Sequence, residues 1–283
     1  MELNKIYCGD CRNMSEIDDN SIHLTVGSPP YAVNKSYESY VESLSDHVRL
    51  LFDAYKEVTR VTVPGGKICV NIGDIVVGSQ YNTNFPQELM ILPKLVDYLE
   101  TLGVYLYARI IWEKDDPWQN SSHVTFHDKI QHGEYRVLPA WEYVFVFRKG
   151  EKQRQDKSAD DGRWISKDQW KEYVHGVWKI RSVQKNDFHE AMFPEELVKR
   201  CILMYSFPGD IVLDNWMGSG TVSVVARKLE RNYIGYELNP KYAKMAEDRV
   251  FLVTDQMVQH QKRYFDKTEN RNELQGDLFD VSV

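Results

Sequence analysis

Two short stretches of the chain carry side chains suited to chemistry. The first is Ser28-Pro29-Pro30-Tyr31, which follows the apolar run Ile22-His23-Leu24-Thr25-Val26. A buried strand that stops in two prolines makes a stiff corner, and prolines remove backbone donors while leaving the carbonyls of Ser28 and Pro29 to accept. A hydroxyl, a bare carbonyl and a flat ring then share one rigid place. Such a corner can accept hydrogen bonds from the N–H groups of an exocyclic amine while Tyr31 stacks on the ring that bears it. The plain alternative is a strand-ending turn.

The second stretch is Asp214-Asn215-Trp216-Met217-Gly218-Ser219-Gly220-Thr221, preceded by the apolar run Ile211 to Leu213. A helix is expected from the glycines to about Leu229, then a strand from Tyr233 to Tyr236 that ends at Glu237. Strand, glycine loop, helix and strand closing on an acid is the pattern of a nucleoside-binding half of a Rossmann-like sheet. Glycines let the backbone approach a ligand, and the terminal carboxylate suits ribose hydroxyls. No Lys follows the glycines, which excludes a P-loop, while a dinucleotide fits the loop as well as a single nucleoside.

The rest of the chain must position these stretches. Lys5 to Tyr7 reads as a short strand leading into Gly9-Asp10, and Asn34 to Ser45 as a polar, mobile loop beside the proline corner. Asp46 is expected to cap a helix on which Val48, Leu51, Phe52, Tyr55 and Val58 recur at helical spacing, ending before Pro64-Gly65-Gly66. A strand over Lys67 to Ile72 would complete a right-handed parallel crossover. After a Gly/Asn-rich connection (Gly73 to Phe85), a helix is expected from Pro86 to Leu102. Strands follow at Val104 to Trp112 and Trp141 to Phe147, far apart with no helix between them, which fits an antiparallel hairpin at a sheet edge. A further helix is expected over Pro194 to Tyr205. The pattern is one α/β domain with a mostly parallel sheet.

At 283 residues the chain can bury a sizeable core. No early apolar segment resembles a signal peptide and no run is long enough to cross a bilayer, so a cytoplasmic protein is expected. Four cysteines argue against a disulfide framework, and Cys8-Gly9-Asp10-Cys11 lacks a second pair at metal-binding spacing, so no metal site is expected. A net charge of −7 counts mildly against nucleic acid as a partner. The balance reverses between Arg148 and Lys185, where eleven Lys and Arg face six Asp and Glu, with Trp164, Trp170, Tyr173 and Trp178 interleaved. Cations for phosphates and rings for stacking or wedging suit a nucleic-acid surface. The alternative is a solvated insertion whose tryptophans pack on the main body.

Together the two stretches resemble the S-adenosylmethionine-dependent DNA amino-methyltransferases of the beta class, in which the catalytic motif precedes the cofactor motif and the target-recognition region lies between them. The resemblance runs from Gly9-Asp10 through Ser28-Pro29-Pro30-Tyr31, Pro64-Gly65-Gly66, Ile111-Trp112 and Glu142-Tyr143, then from Phe188 to Arg249. Two positions depart from it: Asp214-Asn215-Trp216 stands where the family usually has Asp-Pro-Phe, and His189-Glu190-Ala191 where it has His-Pro-Ala.

The resemblance implies a Rossmann-like methyltransferase sheet in permuted motif order over residues 1–283, with 148–187 as an inserted target-recognition region. It implies that Asp214 and Gly218, Ser219, Gly220 and Thr221 hold the methionine end of S-adenosylmethionine, Glu237 the ribose and Asp10 the adenine region, with Phe193 packed nearby. Ser28, Pro29, Pro30 and Tyr31 would receive a base flipped out of double-stranded DNA, and Arg163, Lys179 and Arg181 would contact that DNA. In this family Ser before Pro-Pro tends to accompany cytosine N4, and Asp or Asn tends to accompany adenine N6. Cytosine N4 is therefore the expected target, adenine N6 the runner-up, and a non-catalytic nucleic-acid-binding protein or an RNA methyltransferase a more remote reading. None of the four cysteines follows a proline, which sets cytosine C5 chemistry aside. Residues 266–283 read as a flexible tail. Its Gln275-Gly276-Asp277-Leu278-Phe279 resembles the short peptide by which bacterial replication and repair proteins engage the sliding clamp, with Leu278 and Phe279 folding back on the catalytic body as the alternative.

Overall fold

Strand β2 (Ile22–Gly27) and strand β3 (Thr62–Ile72) are buried along most of their length, as strands covered by helices on both faces must be. They pair in parallel, Thr25 opposite Ile68 and Gly27 opposite Val70. Helix α1 (Leu44–Val61) returns the chain between them. The structure, a computed structural model, describes residues 1–30, 43–77, 87–115, 140–154, 165–183, 193–254 and 257–258. Tyr31, most of the loop from Asn34, Arg163, Trp164, the His189 region and the tail with Gln275 to Phe279 lie outside the described residues. No described helix is long and apolar enough to cross a membrane.

The remaining elements are β1 (Lys5–Cys8), the short pair β4 (Ile75–Val77) and β5 (Gln87–Leu89), helix α2 (Leu92–Thr101), β6 (Val104–Glu113) and β7 (Trp141–Lys149). Helix α3 (Lys167–Tyr173), β8 (Val177–Lys179), α4 (Glu195–Tyr205), β9 (Ile211–Asp214), α5 (Thr221–Lys228), β10 (Asn232–Glu237) and α6 (Pro240–Phe251) complete the described chain. The main sheet has the order β1-β10-β9-β2-β3-β7-β6-β8. From β1 to β3 every pairing is parallel, and β7 runs antiparallel to both β3 and β6.

Each face of the sheet is covered. On one side Leu24, Val26, Val146 and Val212 meet Leu197 and Ile202 of α4 and Val222 and Val225 of α5. On the other, Ile68, Val70, Leu213 and Ile234 meet Leu51, Tyr55 and Val58 of α1 and Leu95 and Leu99 of α2. The crossovers from β9 to β10 and from β2 to β3 thus carry their helices on opposite faces. The order reverses between β9 and β2, and in open α/β sheets that reversal leaves a crevice at the carboxyl ends of the strands.

Four expectations change. Ser43, not Asp46, caps α1, its hydroxyl accepting from the Asp46 amide at 3.2 Å. Strand β3 begins at Thr62 and runs through Pro64-Gly65-Gly66, because β2 pairs with it from Ile22 onward. The helix expected from Pro86 starts only at Leu92, since Gln87–Leu89 pair with Ile75–Val77 first. The antiparallel pair β6 and β7 is interior, because β8 from the basic insertion pairs in parallel with β6 and takes the edge.

Candidate active site

The two stretches chosen for their chemistry meet at the β9–β2 reversal. A Cβ placed on Gly27 would lie 3.0 Å from Asn215 Oδ1, 3.4 Å from Trp216 Cδ1 and 3.7 Å from Asp214 Oδ1. The backbone just before Ser28 therefore packs tightly on the loop just after β9, where a side chain would have to push Asn215 aside by a few tenths of an ångström. Pro29 is buried, while Ser28 and Pro30 are partly exposed at the same edge. Tyr31, the fourth member of that corner, is outside the described residues.

Asp214 ends β9 with only 3% of its surface exposed. Its Oδ1 accepts from the Trp216 amide at 3.1 Å. Burial, with repulsion from Glu237 added, pushes its carboxyl up to about 8, against the single Trp216 hydrogen bond that lowers it. Glu237 ends β10 and accepts from the Gly218 amide at 2.7 Å and the Asn239 amide at 2.8 Å. Burial outweighs those bonds and raises its carboxyl too. Two carboxylates at neighbouring strand ends are thus both kept from easy ionisation, the kind of perturbation that clusters at functional sites.

The glycine loop serves two ends. Gly218 lends its amide to Glu237. Gly220 has φ +81°, and a Cβ there would stand 2.6 Å from the Ala246 side chain, so this glycine is required by the close approach of α6. Ser219 and Thr221, expected to help hold the methionine end through the loop backbone, are buried with their side chains turned to α6: Arg249 donates to Ser219 Oγ at 2.9 Å, to the Ser219 carbonyl at 2.6 Å and to Thr221 Oγ1 at 3.3 Å. Their side chains hold the loop, and with the Gly218 amide given to Glu237 and the Gly220 amide to the Met217 carbonyl at 2.9 Å, it is the α5 N-terminus that is left for a ligand.

Asp10 follows β1, and the Gly9 amide donates to the Glu237 carbonyl at 2.9 Å, which places it at the same edge. Arg12 holds both its oxygens, at 3.0 Å for Oδ1 and 2.6 Å for Oδ2, and keeps the carboxyl below the usual range. Phe193 is half-buried against the hydrophobic core before α4. Leu238, which the sequence pattern does not single out, is 56% exposed directly beside Glu237. An exposed leucine next to a strand-end acid offers an apolar wall, and the signal that could have found it is an apolar residue following the acid.

The basic insertion divides between core and surface. Trp178 is completely buried and Tyr173 nearly so, with the Arg200 guanidinium 4.9 Å from the Tyr173 ring and 5.5 Å from the Trp178 ring. These two rings pack on the main body, which corrects their expected part in stacking on nucleic acid. Trp170 is 52% exposed. Lys179 is exposed but faces Glu113 at 3.1 Å, and Arg181 is exposed. At the start of the insertion Arg154 donates to Asp210 at 2.5 and 3.0 Å in a buried ion pair.

A family model described as DNA methylase, the N6/N4 methyltransferases, matches residues 22–248. The chain belongs to this family. Among its relatives, the type II methyltransferase M.MjaI of Methanocaldococcus jannaschii is 30% identical, with 87% of this chain and 90% of that protein covered. Type II methyltransferase M.BglI of Bacillus subtilis is 29% identical over 88% of this chain and 86% of its own length. Among solved structures, TTHA0409 of Thermus thermophilus, complexed with S-adenosyl-L-methionine, superposes with a TM-score of 0.70. It is 27% identical and covers 87% of this chain and 93% of its own. Both the expected fold class and the expected family therefore hold for the methylase.

Proposed function

We propose that this methylase transfers a methyl group from S-adenosylmethionine to cytosine N4 in double-stranded DNA, acting on a base flipped out of the helix. The observation that carries the reading is the contact of Gly27 with Asp214, Asn215 and Trp216. It sets the Ser28 corner against the loop that would hold the cofactor, so donor and acceptor sites share one crevice.

The residues present fit the cofactor. Asp214 has an oxygen with no hydrogen-bond partner among the described residues, available to the ammonium of the methionine end. Glu237 can take the ribose hydroxyls with the lone pairs that Gly218 and Asn239 leave free, and Leu238 can pack on the adenine. Asp10, firmly held by Arg12, would act near the adenine mainly by shaping the β1 loop. When bound, S-adenosylmethionine supplies an electrophilic methyl on a positively charged sulfur.

What the chain itself contributes is positioning and polarisation. The lone pair of an aromatic amine is conjugated with its ring, which makes it a poor nucleophile. Hydrogen bonds from its two N–H groups to Ser28 Oγ and the Pro29 carbonyl favour a pyramidal nitrogen whose lone pair points at the methyl. The nitrogen forms the new N–C bond, the C–S pair returns to sulfur, and one amine proton leaves to the acceptors at the corner or to water. No covalent enzyme intermediate is needed. Tyr31 would stack on the flipped ring, at an unstacking cost of a few kcal/mol to the duplex.

Nucleoside mass spectrometry of unmethylated DNA treated with the protein and S-adenosylmethionine tests the reading. N4-methylcytosine is the expected product. N6-methyladenine alone would transfer the same chemistry to the other amine and overturn the cytosine assignment.

A further inference from the structure

Asn215 lies between the two halves of the crevice with 1% of its surface exposed, and neither Oδ1 nor Nδ2 has a hydrogen-bond partner among the described residues. The Cys11 thiol sits beside the amide without hydrogen-bond geometry. Nearby, Trp216 Nε1 and the buried Tyr55 hydroxyl lie beside each other. Burying an amide with both ends unsatisfied is costly, so native chains seldom do it without a second partner in view. The position is informative. Asn215 Oδ1 and Asp214 Oδ1 lie on the same side of Gly27, 3.0 and 3.7 Å from where a Cβ of residue 27 would stand, so the amide and the buried carboxylate flank the same piece of backbone.

We propose that Asn215 is a further cofactor-positioning residue, whose amide completes its hydrogen bonds with the amino-acid end of the bound cofactor. This rests on the S-adenosylmethionine reading above. The chemistry matches end for end: an ammonium donates to Asn215 Oδ1 together with Asp214, and a carboxylate accepts from Nδ2. A buried carboxylate alone would draw any cation. An amide beside it, offering one acceptor and one donor, selects a zwitterion. The residue thereby discriminates a complete methionine end from a truncated thioether.

The test compares two adenosine thioethers by isothermal titration: S-adenosylhomocysteine, which has the amino-acid end, and 5′-methylthioadenosine, which lacks it. Asn215→Leu is close in volume and has no hydrogen-bonding atoms. It should weaken S-adenosylhomocysteine about tenfold or more and leave 5′-methylthioadenosine within about twofold of wild type. The thermal midpoint of the ligand-free variant should be unchanged or higher, because an unpaired amide has been removed; a merely structural asparagine would lower it. Asn215→Ala gives the same comparison where the leucine variant does not fold. Equal loss for both thioethers, or loss for neither, overturns the proposal. Failure of the wild-type protein to bind either compound overturns instead the cofactor reading on which it rests.

Discussion

The Gly218 amide donates to Glu237 Oε2 at 2.7 Å, so the loop after β9 is tied to the end of β10 by the same carboxylate that faces the crevice. The other oxygen of that carboxylate holds the Asn239 amide at 2.8 Å. One side chain therefore fixes the start of α6 and the glycine loop together.

Glu237→Gln should break this arrangement. A glutamine can accept at only one end, and its NH2 would face either Gly218 or Asn239 donor to donor. Loss of about 1–3 kcal/mol of stability is expected from the unpaired amide, with S-adenosylhomocysteine affinity down about tenfold or more. Chemical denaturation and calorimetric titration measure the two separately.

Asp214 makes the ligand-free protein sensitive to alkali. Its carboxyl stands at about 8 in the folded chain against 3.8 for the ordinary group, so between these values the folded state holds a proton that the unfolded chain has lost. Its contribution is therefore full below about pH 4 and is lost as pH rises toward 8. From about pH 5.5 to about pH 8.5 the thermal midpoint of the wild type should fall more steeply than that of Asp214→Asn, which has no proton to lose. Cofactor affinity should rise over the same interval, because an ammonium prefers the ionised carboxylate.

Ser28→Ala and Tyr31→Ala address the catalytic corner. Ser28→Ala should lower methyl transfer to duplex DNA by at least about a hundredfold, the scale of losing one positioned polar partner in a transition state, Tyr31→Ala should lower it through loss of the stack on the flipped base, and both should leave cofactor affinity within about twofold. Tritiated methyl transfer together with titration reads both. Normal turnover in the two variants would place the acceptor site elsewhere.

The insertion should separate into a stability part and a binding part. Trp178→Ala removes a fully buried ring and should cost about 3–5 kcal/mol, whereas Trp170→Ala should change stability by less than about 0.5 kcal/mol and weaken DNA binding. Joint replacement of Arg163, Lys179 and Arg181 by glutamine should flatten the salt dependence of DNA affinity by roughly two to three released counterions. Lys179 gives up little to join in, since its pairing with Glu113 is exposed. An unchanged salt slope would move the DNA surface to another face.

For the tail, a peptide spanning Asn270 to Val283 titrated against a purified bacterial sliding clamp should bind at tens of micromolar or better, and Leu278→Ala with Phe279→Ala should abolish it. Equal binding by the altered peptide would remove the clamp from the partners of this chain.

The parts of the site that can be read from sequence are those whose chemistry is local. Ser28-Pro29-Pro30 and the Asp214 to Glu237 unit carry their own strand ends, turns and acids, so their pattern survives without knowledge of neighbours. The side chains of Ser219 and Thr221 and the need for Gly220 escape such a reading, because Arg249 and Ala246, which claim them, arrive from the following helix. Basic residues among aromatics do not disclose that Trp178 belongs to the core, since a three-residue strand has too little periodicity to show which face is inward. Asn215 stands out in sequence only as a departure from a motif, as its isolation depends on Gly27, Cys11 and Trp216 closing around it.

The pairing of β1 with β10 has a consequence for how the protein is made. Lys5–Cys8 finds its partner only in Asn232–Glu237, and β2 finds β9 only at Ile211–Asp214. At ~5–20 residues per second, roughly 10–50 seconds of synthesis separate the first strand from its neighbour. Through that interval the Ser28 corner has already emerged from the ribosome, but the wall against which it works has not. A nascent chain thus carries no assembled crevice until β9 and β10 have been delivered.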